Sequence, residues 1–207
     1  FDHEKKKDII IENLIKKNNL QINSFSEIQY NIFPTPRIIL NNSNFNFVNS
    51  EINSKKANII IILNFTDILN INKFDYKNVI ISKSNFEINI KKLDFLELIK
   101  KSKKQLKLRD VNLKFFDKKN YLFEIKNIVS KQLSKKLNDK FSLKGLIANK
   151  KISIDYLDNN KNQNNLIIKI PDFDSLLKMN FLNKKNEQAK GIINLEILSN
   201  HLNFKFE

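Results

Sequence analysis

The second half of the chain repeats a two-residue alternation of apolar and polar side chains, and this alternation restricts it to β-structure. The pattern recurs in one segment after another from Leu106 to the C-terminus. Side chains of a strand point alternately to its two faces, so each segment has one apolar and one polar face. The breaks between segments are short and polar, whereas parallel strands need a dozen or more connecting residues. The sequence therefore predicts a long antiparallel meander.

The apolar side of this predicted sheet has few elements to cover it. About ten strand-like segments alternate with only two or three helix-like segments. Either a second sheet layer covers the apolar face, or the face is left for another molecule. The residues that define it are Val111, Leu113, Phe115, Phe123, Ile125, Phe141, Leu143, Ile152, Ile154, Ile168 and Ile170.

The first half of the chain begins with an amphipathic helix and continues as strands. Residues 2–18 place Ile10, Ile11, Leu14 and Ile15 on one stripe, flanked by lysines. This helix either packs on a sheet or lies at a membrane interface. Strands are predicted at residues 20–25, 28–33, 37–41, 44–48, 57–65, 74–82 and 85–90, a polar loop at 49–58, and helical segments at 66–70 and 93–103.

Two of the three prolines, Pro34 and Pro36, stand between strand-like segments. Proline fixes φ and removes a backbone donor, so the pair predicts a rigid, extended corner between two strands. The chain is predicted to be α+β, predominantly β, and to form one region over residues 1–207. Within it, residues 1–105 hold the helix, the corner and the first strands, and residues 106–207 continue the meander.

The net charge of +15 invites a nucleic-acid interpretation, but the kind of charge argues against it. Arg37 and Arg109 are the only arginines among 37 basic residues, and arginine is the residue for bidentate phosphate and base recognition. The lysines are instead expected to form a solvated surface or to meet an anionic membrane. Nucleic-acid binding stays the third alternative.

Residues needed for most catalytic sites are scarce. The chain has no cysteine, two glycines and two histidines, which excludes thiolate metal sites and glycine-rich phosphate loops and argues against a histidine relay. The carboxylate pairs Asp94/Glu97 and Asp172/Asp174 are expected at helix starts, the second before a short helix at residues 173–178. No enzyme activity, cofactor or metal is predicted. No apolar run is long enough to span a bilayer.

The order of segments resembles the AsmA-like family of bacterial envelope proteins. The resemblance is carried by the N-terminal helix ending in KKNNLQI, the strand SEIQYNIF, the corner PTPRIIL and the turn before NFNFV. Later segments are similar too, among them KLDFLELIKK, LKLRDVNLKFFD and FSLKGLIANKKISIDYLD. It covers most of the chain, although Ser24 and Ser26 stand where family members usually carry glycine.

The resemblance implies a non-enzymatic periplasmic protein, anchored in the inner membrane by a segment upstream of this sequence. Such proteins form a curled sheet with an apolar groove and are implicated in phospholipid transport and outer-membrane biogenesis. The residues listed above for the apolar face would then line the groove and hold phospholipid acyl chains. A purely structural envelope scaffold is the alternative.

Overall fold

The computed structural model describes residues 7–48, 50, 52–65, 75–89, 104–135, 138–158, 163–182 and 190–206. These residues form one α-helix, thirteen strands and one 3-10 helix. The elements are α1 (Lys7–Asn18), β1 (Leu20–Ser24), β2 (Glu27–Asn31), β3 (Arg37–Phe47), β4 (Asn53–Leu63), β5 (Tyr76–Asn89), β6 (Gln105–Asp117), β7 (Asn120–Lys135), β8 (Asn138–Ile147), β9 (Lys150–Asp158), β10 (Gln163–Ile170), the 3-10 helix (Pro171–Phe173), β11 (Ser175–Leu182), β12 (Lys190–Ile197) and β13 (Asn200–Phe206).

The strands form one sheet, in the order β1-β3-β4-β5-β6-β7-β8-β9-β10-β11-β12-β13, and β2 also pairs with β3. The sheet is not closed and is predominantly antiparallel. This confirms the predicted β-rich fold with an N-terminal helix. The exception to the antiparallel pattern is the parallel pair β5 and β6. A parallel pair needs a long connection, and residues 90–104 supply one.

Several predicted boundaries are wrong. The breaks expected at residues 42–43 and at Lys83–Ser84 do not interrupt β3 and β5. The polar loop expected over residues 49–58 is shorter, because β4 begins at Asn53. Residues 2–6 of the first predicted helix and the helical segments at 66–70 and 93–103 lie outside the described residues.

The chain divides into two compact units, Phe1–Glu124 and Ile125–Glu207, called here the N-terminal and C-terminal units. Each unit is described separately below.

The N-terminal unit buries one continuous face of β3, β4, β5 and β6. Paired residues carry this face across the strands, as in the row Leu40, Ile59, Ile81 and Leu108. All four are buried. The side chains of Phe45, Phe47 and Phe86 form an aromatic cluster in the same core, with ring centroids 5.8–6.2 Å apart.

The same four strands each contain one non-glycine residue with positive φ: Asn42, Lys56, Lys83 and Asp110. On β6, Leu106 and Leu108 are buried before Asp110, and Val111 and Leu113 are buried after it. The buried residues are even-numbered before Asp110 and odd-numbered after it. The left-handed conformation of Asp110 shifts the alternation by one residue, so both sets lie on the same face of the sheet. Asp110 lies opposite Lys83, because Ser82 pairs with Arg109 and Ser84 with Val111.

Asparagine side chains bond the backbone at two of these irregular positions. The N–H of Asn42 donates to Oδ1 of Asn58 at 3.2 Å, and the N–H of Lys56 donates to Oδ1 of Asn44 at 3.2 Å. A residue at a bulge lies outside the regular hydrogen-bond ladder of the sheet. The side-chain amides therefore accept hydrogen bonds from backbone N–H groups that have no partner in the ladder.

A polar clamp joins α1 to the beginnings of β5 and β6. The buried Asn18 donates from Nδ2 to the carbonyl oxygen of Lys104 at 3.0 Å and accepts from the Tyr76 hydroxyl at Oδ1, at 2.6 Å. Beside it, the Asp75 carboxylate lies 2.8 Å from Nζ of both Lys17 and Lys104. Ile10 and Leu14 of α1 are buried, which confirms the helix as one that packs on the sheet. Asn19 ends it with positive φ, as helix C-termini commonly do.

The clamp perturbs two neighbouring titratable groups at the start of β5, Asp75 and Tyr76. Burial disfavours the charged form of Asp75, but the hydrogen bonds from Lys104 and Lys17 outweigh it and lower the pKa of the carboxyl to about 2. Burial, followed by the nearby Asp75 charge, raises the pKa of Tyr76. The phenol therefore stays protonated and can donate to Asn18.

Pro34 and Pro36 lie in the loop between β2 and β3, where the sequence predicted a corner. The predicted extended conformation is wrong, because Asn31 pairs with Arg37 and the loop therefore reverses the chain as a hairpin. The Phe33–Pro34 peptide bond is cis. Nη2 of Arg37 donates to the carbonyl oxygen of Phe33 at 3.0 Å and closes the loop.

The C-terminal unit contains a further bulge on β7, at Asn127, and a glycine that accommodates it. Two β7 residues, 127 and 128, stand opposite Gly145 of β8. A Cβ atom on Gly145 would lie 2.8 Å from the carbonyl oxygen of Lys126 and 2.9 Å from Cγ2 of Ile125. Only a residue without a side chain therefore fits there.

The short helix predicted at residues 173–178 is wrong. A 3-10 helix covers Pro171–Phe173 and strand β11 begins at Ser175. No side-chain hydrogen bond caps the 3-10 helix, and Asp174 follows it with φ 43°. Proline does start a helical turn here, but the alternation of the following residues favours a strand.

We expect the Asp75→Asn variant to be less stable than the wild type above pH 5. The folded-state pKa of about 2 lies below the unfolded value of 3.8, so the ionised carboxylate stabilises the fold above the unfolded pKa. That stabilisation is lost as the pH falls through 3.8 towards 2. The side chain is 38% exposed, so solvent screening limits the effect to about 1 kcal/mol. Urea unfolding from pH 2 to 7 measures it.

The matched control is Glu12→Gln, which removes an exposed ion pair between Glu12 and Lys16 within helix α1. It should change stability by less than about 0.5 kcal/mol. A difference between Asp75→Asn and the wild type that stays constant down to pH 2 would contradict the assignment.

Removing the side-chain acceptor at a bulge should also destabilise the N-terminal unit. Asn58→Ala leaves the N–H of Asn42 without its acceptor and is expected to cost about 1 kcal/mol in the free energy of urea unfolding. Gln29→Ala removes an exposed amide hydrogen bond to Glu27 on β2, which pairs with β3 in regular register, and should be close to neutral. Equal losses in the two variants would refute this role of Asn58.

Candidate functional site

Two apolar rows cross the C-terminal unit from β8 to β13. Residues directly opposite each other on paired strands share a face, so the strand register defines both rows. The first row is Leu143, Ile154, Ile168, Leu177, Leu195 and Leu202. The second row is Phe141, Tyr156, Leu166, Met179, Ile193 and Phe204. Together they form what is called below the apolar face.

Burial of the apolar face decreases from β8 to β13. Phe141, Leu143 and Tyr156 are at most 7% exposed, whereas Leu202 and Phe204 at the other end are each 50% exposed. The residues between them are half-buried. Among the described residues of the C-terminal unit, the 3-10 helix is the sole helical element. Sheets usually bury an apolar face against a second layer, so a half-exposed face of this length marks a contact surface.

The opposite face of β8–β13 mixes charged and apolar side chains. Its described charged residues are Lys140, Lys144, Lys151, Lys169, Lys178, Lys190, Lys205, Asp155 and Glu196, with His201 at the edge. Glu196 lies 4.0 Å from Nζ of Lys178 and 3.9 Å from Nδ1 of His201. Its apolar residues are Leu146, Leu157, Ile167, Leu176, Leu182 and Ile192. Charged and polar residues interrupt them, so the continuous apolar rows lie on the first face alone.

A cavity of about 510 Å³ lies at the end of strands β10–β13. Its lining combines apolar side chains, including Phe181 and Phe206, with the amides of Asn164 and Asn180 and the lysines 190 and 205. Asn164 is buried, and its Oδ1 accepts a hydrogen bond of 2.6 Å from the Tyr156 hydroxyl. The cavity therefore offers apolar and cationic groups side by side.

Gly191 lies in this cavity, between Phe181 and Phe206 in the strand register. A Cβ atom on Gly191 would lie 2.8 Å from Cζ of Phe206 and 2.8 Å from Cβ of Phe181, and it would overlap the carbonyl oxygen of Asn180. The missing side chain lets the Phe206 ring pack against the β12 backbone.

The residues predicted to line a groove separate into core and accessible positions. Val111 and Leu113 are buried in the N-terminal unit. Phe123 is exposed, and its ring stacks on that of Phe115 with a centroid distance of 4.6 Å. In the C-terminal unit Ile125, Phe141, Leu143 and Ile152 are buried, whereas Ile154, Ile168 and Ile170 are half-buried.

The sequence prediction missed the half of the apolar face that is most accessible. Leu177 and Met179 were assigned to a helix or left unassigned, although they alternate with Lys178 and Asn180. Leu195, Leu202 and Phe204 were placed on strands but not among the candidates. The alternation itself was the signal that could have identified them.

Two searches of the described residues found nothing. No group of three or more histidine, aspartate or glutamate side chains in the described part of the chain could hold a metal ion. No helix in these residues is long and apolar enough to cross a membrane. In comparisons with known proteins, no family model, no curated protein and no solved structure matches the chain.

Gly191→Ala should destabilise the end of the apolar face. The added Cβ would displace Phe206 or the β11 backbone, an overpacking that costs about 1–3 kcal/mol. Asn203→Ala, on the neighbouring strand and exposed, should be nearly neutral. Hydrogen exchange measures the effect, and the loss of protection should be confined to β11–β13. A Gly191→Ala variant as protected as the wild type would contradict this.

Proposed function

We propose that this chain is a non-enzymatic periplasmic protein of the AsmA-like type that binds or conducts phospholipid along its apolar face. In this proposal, it is anchored to the inner membrane by a segment upstream of this sequence and serves outer-membrane assembly or homeostasis. Its partners are phospholipid acyl chains and the inner-membrane surface, not nucleic acid. The observation that carries the proposal is the pair of half-exposed apolar rows from β8 to β13.

The dimensions of the apolar face suit an acyl chain. Six strands separated by about 4.8 Å give rows of about 24 Å. The hydrocarbon of one bilayer leaflet is about 15 Å deep, half of the usual 30 Å core. An extended acyl chain can therefore lie along the rows, across the strands. Each CH₂ group removed from water contributes about 0.8 kcal/mol, so even partial contact along the rows favours binding.

The cavity beside Gly191 suits the other end of a phospholipid. Lys190 and Lys205 belong to the opposite face of their strands but line this cavity at the strand ends, where their ammonium groups can attract a phosphate as point charges. Phe181 and Phe206 supply apolar surface next to these charges. An amphipathic ligand could thus keep its headgroup at the strand ends and its acyl chains on the apolar face.

The opposing function is a scaffold whose apolar face never holds lipid. The two functions predict different lipid contents for the chain when it is purified from a bacterial host under mild conditions. Under our proposal, mass spectrometry of the extracted protein finds phospholipid in stoichiometric amounts. A lipid-free chain that takes up no fluorescent phospholipid from phosphatidylethanolamine–phosphatidylglycerol vesicles would overturn the proposal.

A charge on the apolar face should abolish lipid binding without unfolding the chain. Leu195→Glu puts a carboxylate between Leu177 and Leu202, where it would meet acyl chains. Leu195 is half-buried, so the folded chain can keep the carboxylate hydrated, whereas bound lipid would bury it. We expect phospholipid uptake to fall about tenfold or more, since burying an unpaired charge costs well over 1.4 kcal/mol.

The matched control is Asn194→Glu, which adds the same charge one residue away on the other face of the sheet, opposite Lys178. It should bind lipid as the wild type does. Leu143→Glu places the charge at a buried position of the same row and should unfold the chain. Equal lipid uptake by the Leu195→Glu and Asn194→Glu variants would exclude the apolar face as the binding surface.

A further inference from the structure

One end of the N-terminal unit projects large apolar side chains into solvent. Five residues that pair from one strand to the next mark this end of the sheet: Asn31, Arg37, Ile62, Asn78 and Gln105. Just beyond them, the β2–β3 loop exposes Phe33 by 83% and Ile32 by 52%, and the residues after β4 expose Phe65 by 63%. These three side chains are called here the apolar tip. Exposed apolar groups gathered in one place mark a contact surface.

The backbone beneath the apolar tip is held by hydrogen bonds. Nη2 of Arg37 donates to the carbonyl oxygen of Phe33 at 3.0 Å. The N–H of Leu63 donates to the carbonyl oxygen of Pro36 at 2.9 Å, which ties the loop to the end of β4 that leads to Phe65. The two prolines of the loop also fix φ at their positions. The loop therefore presents its apolar side chains already ordered, and binding through them has little backbone freedom to remove.

The charged side chains at this end of the sheet are predominantly cationic. Asp75 is the one acidic residue that the structure describes at these strand ends, and its carboxylate is already paired with Lys17 and Lys104. The exposed Lys77 on β5 and the half-buried Lys107 on β6 add positive charge. Apolar side chains beside an excess of lysine are the combination that binds the surface of an anionic bilayer.

We propose that the apolar tip inserts into the interface of an anionic phospholipid bilayer, with the neighbouring lysines at the level of the phosphates. Apolar groups of interfacial proteins enter the boundary between headgroups and acyl chains by about 5–10 Å, a depth that projecting side chains can reach. A stable protein partner would instead need a continuous surface of about 800 Å², and three side chains at a turn do not form one. The site rests on the proposed function, because it serves the inner-membrane contact named there.

A single tryptophan tests the insertion directly, since the chain has none of its own. On phosphatidylethanolamine–phosphatidylglycerol vesicles, the emission of Phe33→Trp should move to shorter wavelengths and be quenched by lipids brominated on their acyl chains. The matched control is Tyr121→Trp, at an exposed aromatic residue beside the β6–β7 turn of the same unit, and it should show neither change. No shift for Phe33→Trp, or equal shifts for both variants, overturns the proposal.

Charge reversal tests the electrostatic part of the contact. Lys77→Glu and Lys119→Glu alter the net charge equally, but Lys119 lies at the opposite end of β6, in the turn to β7. Vesicle sedimentation should show affinity for the anionic vesicles reduced about fivefold or more by Lys77→Glu, and clearly less by Lys119→Glu. Equal losses would indicate a general attraction of the basic chain and would overturn the site.

Failure of this site and failure of the proposed function give different results. Phospholipid that co-purifies with the chain would lie on the apolar face, so Phe33→Ala should retain it while its affinity for vesicles falls about tenfold. Phe33 is largely exposed, so the fold does not depend on its ring. A Phe33→Ala variant that binds vesicles as the wild type does overturns the membrane site alone. A lipid-free chain whose tip still inserts overturns the proposed function alone.

Discussion

The strict alternation of side chains along a strand is the constraint on which this structure depends. On β3, β5 and β6, the fully buried apolar residues nearest a left-handed residue have one numbering parity before it and the other parity after it, at Asn42, Lys83 and Asp110. Without that residue, part of these apolar side chains would face water. On β4, Lys56 separates the buried Ser54 from the buried Ala57 in the same way. Each such position costs conformational energy in a non-glycine residue, and the burial that it permits outweighs that cost.

These bulges also explain where sequence reasoning failed. A bulge within a polar stretch such as Ser82–Lys83–Ser84 has the same local sequence pattern as a break between two strands. The sequence therefore predicts two strands in place of β3 and two in place of β5. The β-rich class, the N-terminal helix and most hairpins of the second half were predictable, because they depend on local alternation and polar turns. The parallel pairing of β5 with β6 depends on contacts between distant segments and has no local signal.

The candidate site was predictable in kind but not in place. Alternation predicts that one face of the later strands is apolar, and it does so equally for Val111, which is buried, and for Ile168, which is half-exposed. Burial depends on what packs against each face, which local alternation does not encode. In the N-terminal unit helix α1 is fixed to the sheet by Asn18, Tyr76 and Asp75, while the described residues of the C-terminal unit contain no comparable helix.

The clamp between α1 and the sheet sets an order on folding. Its hydrogen bonds join residues 58 and 86 positions apart in the chain. Helix α1 precedes its clamp partners Tyr76 and Lys104 in the chain, and four strands lie between α1 and Tyr76. An isolated helix of 12 residues is marginal in water. The clamp therefore cannot be completed until the start of β6 has been synthesised, and such a long-range dependence slows folding.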